Sequence, residues 1–221
     1  MIILYAVLAA SVDEFGLTIS DHNKIKRGEL INKERKIKGS PWPEISVFAS
    51  IDATAKESCS VFYAYHEHKD FLPDLLSSVP VKYLSPTELI LKFEMRIPWP
   101  LKNSKYISGN KLAVYGEGGY KIEWYHVVSN SSKDSHGMVI FLPYNKRTLF
   151  IYKSFVNPKS ILAGLFRKRV LKEVLRSAKA IISRIESIKK NKKGKLREYI
   201  MSLNKSLNGK YIYQNIPREE K

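Results

Sequence analysis

The segment of residues 165–190 constrains the fold most, because it is the longest run of the chain with one unbroken helical pattern. Its apolar residues recur at intervals of one and three positions, which places them on a single stripe of an α-helix. Most of its Lys and Arg residues fall outside that stripe, and neither Gly nor Pro interrupts it between Phe166 and Lys190. The pattern therefore predicts a long amphipathic helix. Its apolar positions are Val170, Leu171, Val174, Leu175, Ala178, Ile181, Ile182, Ile185 and Ile188.

The chain before this helix is interpreted mainly as strands, because apolar and polar side chains alternate along it. Thr54 and Glu57 form a capping-box pattern that starts one short helix, and residues 69–77 are interpreted as a second. The order is two strands, two short helices, about six strands and the long helix. We expect an α+β fold in which a curved antiparallel sheet wraps around the long C-terminal helix. The predicted strands span residues 28–37, 42–52, 79–84, 88–97, 106–115, 120–128, 136–144 and 148–155.

The net charge of +17 is concentrated towards the C-terminus. Residues 165–221 hold 17 Lys and Arg against 5 Asp and Glu. Such a region favours contact with an anionic surface such as a membrane or a nucleic acid, and a solvated basic face is the alternative. Nucleic-acid binding is the less favoured hypothesis, because much of the long helix must face the core and the tail carries no recognised motif.

Residues 191–221 are interpreted as a basic extension that follows a domain of residues 12–190. The lysine-rich run 189–195 ends or kinks the long helix. Apolar residues then recur at helical spacing and predict a second amphipathic helix, whereas residues 211–221 are interpreted as a loose end. The positions of that helical pattern are Leu196, Tyr199, Ile200, Leu203 and Leu207.

Residues 1–11 resemble the hydrophobic core of a secretion signal. The run is apolar, ends in small residues around positions 9–11, and is followed by Asp13 and Glu14. A positively charged leading segment is missing, so a buried N-terminal segment and a mis-assigned start codon are the alternatives. On the signal hypothesis residues 1–11 are removed, and the protein is periplasmic or secreted rather than cytoplasmic. No run reaches the roughly 18 apolar residues that a membrane-spanning helix needs.

The sequence carries no catalytic or metal-binding signature. Cys59 is the single cysteine, which excludes an intrachain disulfide and a cysteine metal cluster. The glycine-rich run 116–119 lacks the residues of a phosphate-binding loop, and no G-x-S-x-G motif occurs. His66, Glu67 and His68 could be metal ligands, but adjacent residues on a helix point apart, so a polar helix end is the favoured interpretation. We therefore expect no metal and no cofactor.

Three segments resemble the START-like (SRPBCC) superfamily, which includes START lipid-transfer domains and the polyketide cyclase and ubiquinone-binding groups. Phe71-Leu72-Pro73 resembles the family's segment after the first helix, and residues 81–90, VKYLSPTELI, resemble the strand–turn–strand that follows it. Residues 97–107, IPWPLKNSKYI, resemble the START segment in which Trp-Pro precedes an Asn-Arg-Asp-Tyr-like run. Ser104 and Lys105 stand where that run has Arg-Asp, so the role of that pair is not carried over. The resemblance covers roughly residues 28–190.

The resemblance implies the helix-grip fold, with an internal cavity that binds or carries a lipid or another hydrophobic small molecule. It also implies an alternative, a cyclase-like enzyme that transfers protons on a ligand in the same cavity, for which Glu94 is one candidate beside the polar residues named below. We expect a monomeric carrier rather than an enzyme, with the hydrophobic ligand as its partner and an anionic membrane surface as a further one. No residue is assigned as catalytic.

Aromatic residues lie on or beside most of the predicted strands, which gives the sheet one large apolar side. Side chains on that side and on the stripe of the long helix are the candidates for lining the cavity. They are Trp99, Tyr106, Tyr115, Trp124, Phe141, Phe150, Val174, Ala178 and Ile181, with Arg96, Glu123 and His126 as the polar candidates.

Overall fold

The computed structural model describes residues 15–97, 102–160, 164 and 167–219, and the expected α+β fold is confirmed. The predicted signal segment, residues 1–11, lies outside the described residues. The helices are α1 (Ile19–Lys26), α2 (Ala55–Tyr63), a 3₁₀ helix (Tyr65–Asp70), α3 (Arg167–Asn191) and α4 (Lys193–Leu207). The strands are β1 (Ile31–Arg35), β2 (Glu44–Ile51), β3 (Leu75–Ser85), β4 (Glu88–Met95), β5 (Ser104–Tyr115), β6 (Gly119–Ser129), β7 (Ser132–Tyr144) and β8 (Arg147–Pro158).

The described strands form one antiparallel sheet in the order β1-β2-β8-β7-β6-β5-β4-β3. Strands β3 to β8 pair in chain order, and turns of two or three residues join all of them except β4 and β5. In the β7–β8 hairpin Tyr144 pairs with Arg147, and Asn145 takes the positive φ of 56° that the two-residue turn needs. Strand β2 instead pairs with the distant β8, so the segment between β2 and β3 must cross the sheet. Helix α2 and the 3₁₀ helix belong to that crossing segment.

Alternation along the strands gives the sheet two apolar faces. The inner face packs against α2, α3 and α4, and the outer face packs against α1 through Ile25. A one-residue shift in register would exchange the two faces, so the strand pairing decides which side chains meet the helices. Buried inner-face residues include Val47, Leu91, Ile122, Val139 and Phe150, and buried outer-face residues include Phe48, Ile140, Leu149 and Ile151.

The long helix and the capping box are confirmed. Helix α3 buries one stripe, Ala178, Ile181, Ile185 and Ile188, against the core. At the start of α2 the Thr54 hydroxyl accepts from the Glu57 amide at 3.2 Å, while the Glu57 carboxylate accepts from the Thr54 amide at 2.8 Å. In the part of the chain that the structure describes, no helix is long and apolar enough to cross a membrane.

The predicted helix at residues 69–77 is wrong. The 3₁₀ helix ends at Asp70, and β3 already begins at Leu75. Pro73 disfavours a helical conformation at the residue before it, and Asp74 adopts a left-handed φ of 62° that reverses the chain. The segment is therefore a turn into an edge strand.

The second C-terminal helix is observed as α4, but the residues after it are not a loose end. The amides of Ile212 and Tyr213 both donate to the Tyr83 hydroxyl at 3.0 Å. The Tyr83 amide donates to the Pro217 carbonyl at 2.9 Å, and the Glu219 amide donates to the Tyr83 carbonyl at 2.9 Å. The tail thus covers part of the free edge of β3, a common way to protect a sheet edge.

Candidate ligand-binding face

The inner face of the sheet and the facing stripe of α3 contain apolar side chains that stay only half-buried. Each packs against the main core, but none is enclosed by it as its neighbours are. Large side chains in the middle of a filled core are normally close-packed on all sides, whereas these keep part of their surface accessible to solvent. We refer to these residues as the inner patch: Met95, Tyr106, Trp124, Tyr152, Leu171, Val174 and Leu175.

Burial changes along α3 in a way that locates the inner patch. The C-terminal half of the stripe is more deeply buried, with Ala178 and Ile188 both at 0% exposure and only Ile182 partly exposed. In the N-terminal half, Leu171, Val174 and Leu175 are only partly buried. The helix therefore closes tightly on the core at its C-terminal end and incompletely at its N-terminal end.

Ring contacts fix the aromatic members of the inner patch. Tyr106 stacks on Phe93 with ring centroids 5.0 Å apart, and Trp124 lies 5.4 Å from Tyr152. Tyr152 in turn stacks on the fully buried Phe150 at 6.1 Å. The partly buried rings thus rest on buried aromatic side chains, and such contacts hold them in a defined arrangement.

A glycine beside Trp124 keeps the indole close to the sheet. Gly137 is the cross-strand partner of Trp124, and a Cβ atom at Gly137 would lie 2.3 Å from the indole Cζ2 and 2.2 Å from the Lys153 carbonyl oxygen. Only glycine fits here, because any side chain at position 137 would clash with the Lys153 carbonyl oxygen and displace the Trp124 ring. The indole therefore lies directly against the backbone of Gly137.

Polar groups interrupt the apolar surface at one place on the inner face. Ser108 and Asn110 are buried on β5, and Asn110 Nδ2 donates to the Ser108 hydroxyl at 2.9 Å. His126 is the cross-strand partner of Ser108, and its Nδ1 lies 3.5 Å from the Ser135 hydroxyl. These groups could form hydrogen bonds with a polar end of a bound molecule.

Two tyrosine hydroxyls add to the polar groups of this face. Burial raises the pKa of Tyr152 to about 12, and burial also raises the pKa of Tyr106 above its usual range. Both hydroxyls are therefore neutral at physiological pH and can donate or accept hydrogen bonds.

The structure separates the predicted lining residues into three groups. Tyr106, Trp124 and Val174 belong to the inner patch, whereas Phe141, Phe150, Ala178 and Ile181 are on the inner side but fully buried. Tyr115 lies on the outer face, where its ring packs against the outer core and Lys121 Nζ is 5.4 Å from its centroid. The register shift between β5 and β6 skips Val127 on β6, so positions on β5 keep alternating and Tyr115 lies on the face opposite Tyr106. Trp99 lies outside the described residues.

The polar candidates also separate. His126 is on the inner face, but Glu123 is on the outer face with Lys121, its carboxylate 2.9 Å from the Lys121 ammonium. Glu94 accepts from Asn103 at 3.0 Å on the outer face, and Arg96 is exposed just after β4 ends. Sequence alternation missed this division, since it groups residues by strand parity without showing which parity faces inward.

Several inner-face residues were not among the predicted lining set. Tyr152 shares the parity of Phe150 on β8, and Asn110 shares that of Tyr106 on β5, so the alternation pattern could have found both. Leu171 and Leu175 could likewise have been found, because they lie on the same helical stripe as Val174.

In the His66-Glu67-His68 segment the first two side chains come within 3.7 Å of each other, whereas His68 lies apart in the core. His66 Nδ1 lies 3.1 Å from the Tyr213 hydroxyl, whereas His68 is buried and its Nε2 lies 2.7 Å from the Phe62 carbonyl oxygen. Glu67 pairs with Arg184 on α3 and Lys195 on α4. Among the described residues, no group of three or more His, Cys, Asp or Glu could hold a metal ion.

Burial makes His68 a source of pH-dependent stability. Desolvation lowers the pKa of His68 from 6.5 to about 4, so folding favours the neutral imidazole. The contribution of neutral His68 to the free energy of unfolding is complete above pH 6.5, and it is lost as the pH falls from 6.5 towards 4. When the pH is lowered from 6.5 to 5, we expect the free energy of unfolding to fall by roughly 2 kcal/mol, because His68 binds a proton in the unfolded chain but not in the folded one. Urea unfolding at a series of pH values measures this change in the free energy of unfolding.

Replacing His68 by glutamine removes the titrating group, so the free energy of unfolding of His68→Gln should vary less over that pH range. His136→Gln is the matched control, because His136 is exposed and its Nδ1 lies 3.0 Å from Asp134 at the surface. A wild-type pH dependence retained in His68→Gln contradicts the assignment.

No protein-family model matches the sequence, and neither does any curated protein. Solved structures do match its fold. A STAR-related lipid transfer protein fragment from Xanthomonas axonopodis aligns with a TM-score of 0.64 at 18% identity, over 71% of this chain and 93% of that one. Human STARD10 aligns with a TM-score of 0.69 at 15% identity, over 86% of this chain and 80% of that one.

A Streptomyces protein named as the Zhui aromatase/cyclase also aligns, with a TM-score of 0.56 at 8% identity, over 66% of this chain and 94% of that one. Lipid-transfer proteins and a cyclase thus share one architecture with this chain, and architecture alone does not choose between their activities. The curved antiparallel sheet and its long C-terminal helix give this chain the START-like, helix-grip fold.

Proposed function

We propose that the protein binds and carries a lipid or another hydrophobic small molecule against the inner patch, between its sheet residues and its residues on the N-terminal half of α3. The observation that carries the proposal is the incomplete burial of the inner patch on the face that the helices cover. Covering this partly exposed apolar surface with an apolar ligand would stabilise the complex by about 25 cal/mol per Å² of apolar area removed from water. The START-like lipid-transfer proteins of the same fold support this choice of ligand class.

The polar inner-face groups would orient the ligand. Ser108, Asn110 and the Tyr106 and Tyr152 hydroxyls offer neutral donors and acceptors rather than a fixed charge. Sites of this kind bind mostly through apolar contact and use a few polar groups for specificity. The favoured ligand is therefore a molecule with a long apolar part and a hydroxyl, carbonyl or carboxylic acid group.

The cyclase-like alternative has less support. A general base needs a suitable position and a partner that tunes it. His126 is on the inner face, but Glu94 and Glu123 point to the outer face and cannot pair with it there. A carrier role needs no such pair.

Native mass spectrometry of the purified full chain tests the proposal. We expect a bound species with one ligand per protein, which organic extraction releases and lipid mass spectrometry identifies. The extracted protein should then bind the fluorescent fatty acid cis-parinaric acid with one-to-one stoichiometry. A purified protein without ligand that also fails to bind cis-parinaric acid contradicts the proposal.

A further inference from the structure

An open groove of about 450 Å³ lies between the β1–β2 connection and the first residue of α3. Its walls include Lys36, Lys38 and Trp42 from the connection and Arg167 from the helix. The groove is separate from the inner patch, with which it shares no lining residue. It also lies outside the segments that the resemblance to START-like proteins rests on.

The groove has a surplus of positive charge. Three cationic side chains line it, and the described residues of the lining include no carboxylate. Arg167 donates through Nη2 to Glu34 at 2.9 Å, which offsets one charge and leaves other guanidinium N–H groups available. In the part of the chain that the structure describes, Lys36 and Lys38 have no hydrogen-bond or ion-pair partner. Two uncompensated charges therefore face the groove, which matches a dianion.

The start of α3 strengthens this surplus. Helix N-termini carry a partial positive charge and normally have acidic residues in their first turn. Helices α1 and α2 follow that rule with Asp21 and Glu57. The first turn of α3 has no acidic residue and begins Arg167-Lys168-Arg169. An anion bound at the groove would compensate for that unfavourable arrangement.

We propose that this groove binds a phosphate monoester, with Lys36, Lys38 and Arg167 around the phosphate and the Trp42 ring against the organic part. Guanidinium and ammonium groups provide the charge-assisted hydrogen bonds that phosphate oxygens accept. The phosphate monoester can belong to a lipid headgroup, as in phosphatidic acid, or to a soluble compound such as glycerol 3-phosphate. The site is independent of ligand binding at the inner patch.

The test uses the full chain, glycerol 3-phosphate and vesicles of phosphatidylcholine with or without phosphatidic acid. Calorimetry measures binding of glycerol 3-phosphate, and flotation measures binding to vesicles. We expect the double variant Lys36→Gln/Lys38→Gln to lose at least about 10-fold in affinity for the probe that the wild type binds, since two charge contacts are removed. Lys192→Gln/Lys193→Gln is the control, because it removes the same charge at exposed positions beyond the other end of α3.

The two probes distinguish the sources of the phosphate. Binding of glycerol 3-phosphate that is lost in the groove variant supports a soluble phosphate monoester. Binding only to vesicles with phosphatidic acid, lost in the same variant, supports a lipid headgroup. The proposal is overturned if the wild type binds neither probe, or if the control variant weakens binding as much as the groove variant does.

Discussion

Replacing Glu67 by alanine is expected to lower the free energy of unfolding by about 1.5–3 kcal/mol, the usual contribution of a hydrogen bond to a charged group, because the ion pairs of Glu67 are only partly buried. The Glu67 carboxylate lies 2.6 Å from Arg184 Nη2 and 2.7 Å from Lys195 Nζ, and it also accepts from the Tyr199 hydroxyl. Its side chain is 13% exposed. The substitution would leave two cations without their shared partner and disconnect the 3₁₀ helix from α3 and α4.

The pH dependence of Glu67 provides an independent check. Burial alone would raise the pKa of Glu67, but hydrogen bonds from Lys195, Tyr199 and Arg184 outweigh it and lower the pKa from 4.5 to about 2. The stabilisation is therefore complete above pH 4.5 and is lost as the pH falls towards 2. This window lies below most of the His68 window, so unfolding measured at a series of pH values separates the two groups.

Glu29→Ala is the matched control for Glu67→Ala. Glu29 also pairs with an arginine, Arg27, at 2.9 Å, but the two side chains are 49% and 63% exposed. Surface pairs of this kind contribute about 0–1 kcal/mol. Urea unfolding at neutral pH compares both variants with the wild type. Equal, small losses for Glu67→Ala and Glu29→Ala would show that the Glu67 contacts do not stabilise the fold.

Replacing Val174 by tryptophan is expected to weaken binding of cis-parinaric acid by at least about 10-fold, which is 1.4 kcal/mol of binding free energy. Val174 is half-buried on α3 within the inner patch. A larger side chain there would occupy the region that the ligand needs. Because the position is not sealed, overpacking should cost little stability, near the lower end of the usual 1–3 kcal/mol.

Val114→Trp is the control for the binding experiment, since it makes the same substitution at a position that is 62% exposed. It should bind cis-parinaric acid as the wild type does. Fluorescence titration measures binding, and circular dichroism verifies that each variant is folded. Wild-type affinity in a folded Val174→Trp protein would place the ligand elsewhere.

The local elements could be predicted from the sequence because their signals are local. The apolar stripe of α3, the Thr54–Glu57 capping box and the turn residues of the hairpins each act within a few residues. The helix predicted at residues 69–77 was wrong because Pro73 and the left-handed Asp74 outweighed an apolar pattern that also fits a turn and a strand.

The division of the candidate site could not be predicted in the same way. Alternation shows that Tyr106 and Tyr115 lie on different faces of β5, but only pairing with the neighbouring strands and packing against α3 decide which face is inside. The prediction grouped Tyr115 with Trp124 because both are aromatic residues on strands, although the structure puts them on opposite sides of the sheet.

By itself the sequence determined the strands that form the hairpins, the capped helix at Thr54 and the long helix around which the sheet folds, since periodicity and turn chemistry are properties of neighbouring residues. Only the tertiary structure decided that β2 pairs with β8, that Glu67 joins α3 and α4, and that Tyr83 holds the tail. These contacts connect residues far apart in the chain. Their free energy depends on burial and on charges that come together only when the whole domain has formed.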